Sequence, residues 1–321
     1  MCTAVTYQTH DFYFGRNLDY EFSYGESVTV TPRHYPFSFI NGKKTENHAA
    51  LIGMAHVLND YPLYYDAVNE HGLCMAGLNF PGNAYYPDAN EIAPEKEQIA
   101  PFEFVPYVLA ACATVGEARE LLENACLVNV PFSQELPPSP LHYMIADKSG
   151  CLVVEPTKEG LMLYDNPVGV LTNNPPFPMQ LTHLFNYASL SRKDPIPSFA
   201  AGFTPQLYSR GMGGIGLPGD VSSMSRFVRA AFVRMNSVSG TSEKESVSQF
   251  FHILGSVEQV RGECELANGK FEITIYSACC NADKGIYYYT TYDDRSICAC
   301  DMHSVDLDGQ ALKNLSVVSA F

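Results

Sequence analysis

The chain has 321 residues, 46% of them apolar, which is enough to fill one large globular core. Its formal net charge of −15 argues against binding to nucleic acid, because such proteins neutralise phosphates with clustered lysine and arginine. The sequence has no run of about 18 apolar residues and no basic stretch followed by an apolar run at its start. We therefore expect no membrane span, no signal peptide and a cytoplasmic location.

The first third of the chain predicts antiparallel sheet. Short segments of apolar, β-branched and aromatic residues are separated by turn residues such as His10 and Asp11. The strands predicted here are 2–7, 12–16, 27–31, 50–54 and 74–78.

Blocks of helix and strand follow in the rest of the chain, identified from their apolar spacing. The predicted helices are 102–112, 115–124, 224–235 and 243–257. The predicted strands are 141–146, 151–155, 161–164, 271–277 and 286–292. Between 173 and about 218 the regular pattern is lost, and a loop this long is usually functional or part of an interface. Strands and helices without βαβ alternation indicate a single layered α+β domain.

Two local motifs do not satisfy the requirements of the sites that they suggest. The segment 211–216 reads GMGGIG, but no buried strand precedes it and a proline turn follows, so we interpret it as a loop. The pairs Cys279-Cys280 and Cys298-x-Cys300 lack the ligand spacing of structural zinc. We predict no metal and no cofactor.

Cys2 lies directly after the initiator methionine. Removal of Met1 would leave one residue that carries both a thiol nucleophile and a free α-amine. An α-amine has an ordinary pKa of about 7.7–8.0, so part of it can accept a proton near neutral pH. A cysteine at this position can also be a coincidence, and the polar residues that follow decide the interpretation.

Arg16 and Asp19 are predicted to lie in a turn after the second strand, close enough to the first strand to reach Cys2. A neighbouring guanidinium favours the thiolate form of a cysteine. An aspartate can accept hydrogen bonds from an α-ammonium group and orient it. These two residues are therefore candidates for tuning the nucleophile and its base.

Asn79 and Asn173 each end a predicted strand before a proline-containing turn. Asparagines at such positions are often only turn formers, but they are also suitable neutral donors for an oxyanion hole. Arg226 opens a predicted amphipathic helix, where an arginine is usually just solvated.

Taken together, five segments resemble the choloylglycine hydrolase family of N-terminal nucleophile hydrolases, in the same order along the chain from residue 2 to about residue 300. The segments are MCTA (1–4), FGRNLD (14–19), GLNF (77–80), LTNNP (171–175) and SRF (225–227). The resemblance implies one domain over 2–321 with an αββα sandwich of two antiparallel sheets. It also implies a homotetramer with an extended loop at about 188–218.

The resemblance further implies that six residues form the catalytic site: Cys2, Arg16, Asp19, Asn79, Asn173 and Arg226. Cys2 would be the nucleophile and its own amine the general base. The side chain of Asn173 and the backbone of Asn79 would form the oxyanion hole, and Arg226 would support the electrostatics of the site.

The substrate implied by the family is a glycine- or taurine-conjugated bile salt, cleaved at its amide bond through a Cys2 thioester. Apolar side chains could line a groove for it: Leu18, Tyr20, Tyr24, Leu58, Tyr61, Phe132 and Leu136. The related penicillin V acylases tend to carry tyrosine where this chain has Asn79, which favours bile salts. A function of another class also stays open. The chain could be a non-catalytic small-molecule-binding protein, or a thiol-redox protein that uses Cys279 and Cys280.

Overall fold

Two antiparallel sheets form the centre of the molecule, in a computed structural model that describes residues 1–315 and 318–319. The first sheet has the strand order β14-β1-β2-β15-β16-β17-β19. Its strands are β1 Cys2–Gln8, β2 Phe12–Tyr20, β14 Val170–Leu171, β15 Ile273–Asn281, β16 Ile286–Thr291, β17 Cys298–Asp301 and β19 Val318–Ser319.

The second sheet has the order β13-β12-β11-β8-β7-β6-β3-β18. Its strands are β3 Ser27–Thr31, β6 Leu51–Leu58, β7 Tyr61–Asn69, β8 Cys74–Asn79, β11 Leu141–Asp147, β12 Gly150–Thr157, β13 Gly160–Asp165 and β18 Lys313–Asn314. The described residues also form two small sheets: β4 Phe37–Ser38 with β5 Lys44–Thr45, and β9 Glu97–Ile99 with β10 Ala125–Leu127.

Helices cover the outer faces of both sheets. The α-helices are α1 Phe104–Ala111, α2 Val115–Glu123, α3 Phe177–Leu184, α4 Ser223–Asn236 and α5 Glu243–Gly255. Helices α1 and α2 pack on the second sheet, whereas α4 and α5 pack on the first. This arrangement is the predicted four-layer αββα sandwich. Within the part of the chain that is described, no helix is both long and apolar enough to cross a membrane.

Alternation of side chains along the strands produces two apolar cores. In β11, Met144 belongs to the core that lies between the sheets, whereas Tyr143 and Ile145 belong to the core under α1 and α2. Successive strand residues point to opposite faces, so a strand of the second sheet serves both cores. Strands covered on both faces are largely apolar, which is why the bounds of β8 and β11 could be predicted closely.

The predicted turn after the second strand is wrong. Strand β2 continues to Tyr20, so Arg16 and Asp19 lie inside it and not after it. It pairs with β1 on one side, with Ala4 opposite Arg16, and with β15 on the other, with Thr274 opposite Asp19. Pairing on both sides extends the strand through polar residues that interrupt its apolar pattern.

The predicted loss of regular structure from 173 to 218 is also wrong in part. Helix α3 begins at Phe177, with Pro178 at its second position, where a missing N–H costs no helical hydrogen bond. The predicted helix 102–112 begins with a 3₁₀ turn, Pro101–Glu103, before α1. Strand β7 was not predicted. The predicted domain, 2–321, includes positions 316–317 and 320–321, which lie outside the described residues.

Candidate active site

Cys2 is the first residue of β1, which lies between β14 and β2 in the first sheet. It lies opposite Leu18 of β2, and on its other side β1 pairs with β14, where Ala4 lies opposite Leu171. Continuing that antiparallel register by two residues places Asn173 beside Cys2. The backbone N–H of Cys2 donates a hydrogen bond to Oδ1 of Asn173 at 2.8 Å.

The amide of Asn173 is held by three contacts. Its Oδ1 accepts hydrogen bonds from Cys2 and from Nη2 of Arg226, the latter at 2.7 Å. Its Nδ2 donates to the backbone carbonyl of Asn79 at 2.7 Å. An amide nitrogen carries two hydrogens, so a second N–H is available to a substrate oxygen.

The backbone N–H and C=O of Asn79 point toward Asn173. Asn79 lies opposite Leu141 of β11, but the neighbouring ladder bond runs from Phe80 N–H to Pro140 C=O at 2.7 Å. Asn79 is therefore in a non-hydrogen-bonded pair, whose N–H and C=O both point away from the partner strand. Because its C=O reaches Asn173, its N–H lies on that side as well.

Arg226 lies in the first turn of α4 and is fully buried. Its Nη1 donates to the carbonyl of Cys2 and to Oγ1 of Thr3, both at 2.6 Å. Burial lowers the pKa of this guanidinium, and the charges of Asp19 and Cys2 oppose that effect. Arg226 thus links β1 to Asn173, a role quite unlike that of a solvated helix residue.

Asp19 is buried beside the start of β1. Its Oδ1 accepts a hydrogen bond from Oγ1 of Thr274 at 2.6 Å. Its Oδ2 has no hydrogen-bond partner among the described residues and lies 3.9 Å from Nη1 of Arg226. Burial raises the pKa of this carboxyl, and the positive charges of Arg226 and of the N-terminus act in the opposite direction.

Arg16 brings a second buried positive charge to the site. Its Nη1 donates to the carbonyls of Tyr65 at 3.0 Å and Gly77 at 2.5 Å, which join the first sheet to β7 and β8. Burial acts to lower its pKa, but the negative charges of Cys2 and other nearby acidic groups raise it overall. The guanidinium therefore stays charged near Cys2.

A cavity of about 320 Å³ opens above Cys2, and Arg16, Asp19 and Asn79 also contribute to its wall. Five of the seven predicted substrate-binding residues line it: Leu18, Tyr20, Tyr24, Phe132 and Leu136. Leu58 and Tyr61 do not. The ring of Tyr61 packs behind the wall, against Phe102 and Phe132 at centroid distances of 5.8 and 5.7 Å.

Several lining residues were not predicted from the sequence, among them His56, Phe102 and Val105. The proline-rich run 137–140 also lines the cavity, and this run was a usable signal because it cannot continue a regular strand. Thr274, the partner of Asp19, carried no local signal, since its position depends on the pairing of β15 with β2. No group of metal-ligating side chains able to hold an ion occurs among the residues described.

The chain was compared with known proteins. The family model for linear amide C–N hydrolases, choloylglycine hydrolase family, matches residues 2–315. A bile salt hydrolase/transferase of Lactiplantibacillus plantarum is 54% identical over 319 residues, covering 99% of this chain and 96% of that protein.

Solved structures agree with this match. The crystal structure of the mutant C2A conjugated bile acid hydrolase from Clostridium perfringens has a TM-score of 0.90 at 37% identity and covers 98% of this chain and 97% of that one. Penicillin V acylase from Agrobacterium tumefaciens has a TM-score of 0.77 at 22% identity over 98% of this chain and 91% of that one, a likeness of fold alone. The chain belongs to the choloylglycine hydrolase family of linear amide C–N hydrolases.

Proposed function

We propose that the protein hydrolyses the amide bond of glycine- and taurine-conjugated bile salts, with Cys2 as an N-terminal nucleophile. The observation that carries the proposal is the position of Cys2 in an apolar cavity whose wall also contains Arg16, Asp19 and Asn79. Two of the proteins similar to this chain are named for bile salts or bile acids.

The first half of the reaction follows from these positions. The free α-amine of Cys2 takes the thiol proton, and the thiolate attacks the amide carbon. The negative charge that develops on the carbonyl oxygen is stabilised by the free N–H of Asn173 Nδ2 and the N–H of Asn79. The C–N bond then breaks, the ammonium returns its proton to the leaving nitrogen, and glycine or taurine departs from a Cys2 thioester.

In the second half of the reaction, water hydrolyses the thioester. Water loses a proton to the α-amine and attacks the thioester carbon, forming a second oxyanion between the same donors. The C–S bond breaks, the proton returns to the sulfur, and the free bile acid leaves. No step requires a group other than the residues of the chain and water.

This chemistry requires that Met1 be removed. With Met1 in place the nitrogen of Cys2 is an amide that donates to Asn173 and cannot act as a base. The free Oδ2 of buried Asp19 provides an acceptor for the ammonium that processing would create. Intact-mass analysis of active enzyme should show a chain that lacks Met1, and full activity with Met1 retained would contradict the mechanism.

The cavity suits a large apolar acyl group. Burial of roughly 300 Å² of steroid surface at about 25 cal/mol/Å² would gain roughly 7 kcal/mol before the cost of association. That gain can outweigh the long-range repulsion between an anionic substrate and a chain of net charge −15.

We also propose self-association, as a homotetramer, through the loop 188–218. Large apolar side chains in this loop are exposed to solvent: Ile196, Phe199, Phe203, Leu207, Tyr208 and Ile215. Several large apolar side chains exposed in one segment are typical of an interface, and the rings of Phe199 and Phe203 contact each other with centroids 6.1 Å apart. Light scattering should give four times the chain mass of 35.4 kDa, and replacing Phe199 and Tyr208 with serine should reduce it.

A cytoplasmic location accords with nine cysteines that form no disulfide: Cys2, Cys74, Cys112, Cys126, Cys151, Cys264, Cys279, Cys280 and Cys298. The thiol-redox alternative is not favoured, because Cys279 and Cys280 are buried in β15. Burial raises the pKa of both thiols well above its ordinary value, whereas exchange requires an accessible thiolate.

One assay tests the proposed function. Amine release is measured from glycocholate, taurocholate and penicillin V with the purified full chain. Release of glycine and taurine supports the proposal. Hydrolysis of penicillin V alone would assign the activity to the acylases, and no hydrolysis of any of the three would favour a binding protein.

A further inference from the structure

A buried pair, His142 of β11 and Glu155 of β12, lies behind the two asparagines of the site. Both side chains are fully buried. Nδ1 of His142 is 3.1 Å from Oε1 of Glu155, and its Nε2 is 2.9 Å from the backbone carbonyl of Thr172. Neither residue lines the cavity, and the proposed mechanism uses neither.

The imidazole ring of His142 contacts the chain next to each asparagine. Thr172, which receives its Nε2 contact, directly precedes Asn173. Phe80, which directly follows Asn79, stacks on the ring with a centroid distance of 4.2 Å and an angle of 6° between the planes. One rigid ring therefore spans the two segments that carry the oxyanion donors.

Glu155 holds the ring in this orientation. Its Oε1 also accepts a hydrogen bond from the backbone N–H of Phe177, at 2.8 Å, where α3 begins. Both ring nitrogens of His142 face oxygen atoms, so each contact needs a proton between its two atoms. Removal of the ring nitrogens would leave the Thr172 carbonyl without this partner and Oε1 of Glu155 with only the N–H of Phe177, in a dry interior where a lost hydrogen bond is costly.

We propose that His142, oriented by Glu155, is a positioning residue that sets the distance between the oxyanion donors of Asn79 and Asn173. This inference rests on the oxyanion role given to those two residues in the proposed function. Displacement of catalytic groups by a fraction of an ångström lowers the rate without removing the groups that bind substrate.

The test compares two buried histidines. His142→Phe keeps the stacked ring but removes both hydrogen bonds, and we expect kcat for glycocholate to fall about tenfold or more while KM changes less than about threefold. His48 is the matched control: its ring nitrogens lie 2.8 and 2.9 Å from the carbonyls of Ala49 and Tyr35, and its ring lies 5.0 Å from that of Phe37. His48→Phe should lower the melting temperature and leave kcat unchanged.

A double variant shows whether His142 acts through Asn173. In an Asn173→Ala background, His142→Phe should cause little further loss of kcat, because coupled residues are not additive. A full, multiplicative loss, or an unchanged kcat in the single His142 variant, would overturn the inference while leaving the proposed function intact. An unchanged kcat in Asn173→Ala alone would instead refute the oxyanion role itself.

Should His142→Phe not fold, Glu155→Gln takes its place. The glutamine keeps the volume and an acceptor for Phe177 but removes the negative charge that holds the ring. We expect a lower kcat with KM nearly unchanged, and a kcat equal to that of the unmodified enzyme would overturn the proposal.

Discussion

The catalytic centre and the cavity wall above it are held in place by different interactions. Cys2 and Asn173 are fixed by hydrogen bonds of 2.6–2.8 Å that join β1, the segment after β14, and α4. Phe22 and Tyr24, in the wall, follow the end of β2 and are 40% and 42% exposed. The rings of these two residues contact each other, with centroids 4.7 Å apart.

We expect the catalytic centre to determine the rate of the reaction and the cavity wall to determine which substrate binds. Directional hydrogen bonds between buried groups hold atoms at the distances that a transition state requires. Apolar contacts are not directional, so the wall can adapt to the shape of an acyl group at modest cost. Changes in the centre should therefore act on kcat, whereas changes in the wall should act on substrate choice and on the stability of the wall itself.

The largest effect is expected at the nucleophile. Cys2→Ala should abolish hydrolysis, because no thioester can form, and Cys2→Ser should retain little activity, because a hydroxyl is a far weaker acid than a thiol. Circular dichroism and light scattering should show an unchanged fold and assembly. Cys298→Ala is the control and should keep full activity; an equal loss there would favour the redox alternative.

Asn173→Ala should have the next largest effect. Removal of one oxyanion donor lowers kcat by about 10²–10³, and KM should change little because the donor acts mainly in the transition state. Asn69→Ala is a matched control, since its buried amide donates to the carbonyls of Leu109 and Cys112 and none of the three residues lines the cavity. A change confined to KM in the Asn173 variant would mean that this residue only shapes the cavity.

The stability of the protein should depend on pH through Glu103, which follows the lining residue Phe102 in the chain. Burial raises the pKa of Glu103 from its ordinary value of 4.5 to about 7, although backbone N–H groups of Ala100 and Ile40 oppose the shift. Between about pH 4.5 and pH 7 the folded protein therefore keeps a proton on Glu103 that the unfolded chain has lost. The stability linked to this group is present below about pH 4.5 and is lost as pH rises through about 7, by on the order of 3 kcal/mol.

Urea unfolding at pH 5 and pH 8 checks the direction of this change in stability. Glu103→Gln resembles the protonated form, so the variant should be more stable than the unmodified protein at pH 8 and close to it at pH 5. The exposed Glu120→Gln is the control and should show no such difference. Equal destabilisation of the Glu103 variant at both pH values would contradict the expectation.

Local patterns predicted much of this molecule from the sequence alone. Strands buried on both faces and the amphipathic α2 and α5 appear close to the predicted bounds, because apolar periodicity reports burial directly. The αββα class and the family also followed from the sequence. The six catalytic candidates converge around Cys2, although their roles stay proposals.

What the sequence could not predict depends on pairing between distant segments. The continuation of β2 through Asp19 requires β15, which lies more than 250 residues away in the chain. The burial of Arg226 requires β1 and Asn173 as partners, and an isolated helix pattern contains neither. For the same reason Leu58 and Tyr61 could be identified as apolar but not placed outside the cavity.

Substrate choice should show the smallest effect, and it tests the wall directly. A bile salt offers a wide steroid face, whereas the small aromatic acyl group of penicillin V leaves much of the cavity without contacts, and lost contacts lower transition-state binding. We expect kcat/KM for conjugated bile salts to exceed that for penicillin V at least about tenfold, a gap of roughly 1.4 kcal/mol. Phe132→Ala should narrow this gap because its ring lines the cavity, whereas Leu58→Ala should leave it unchanged. If penicillin V were the better substrate, the wall would belong to an acylase, and the chemistry of Cys2 would be unaffected.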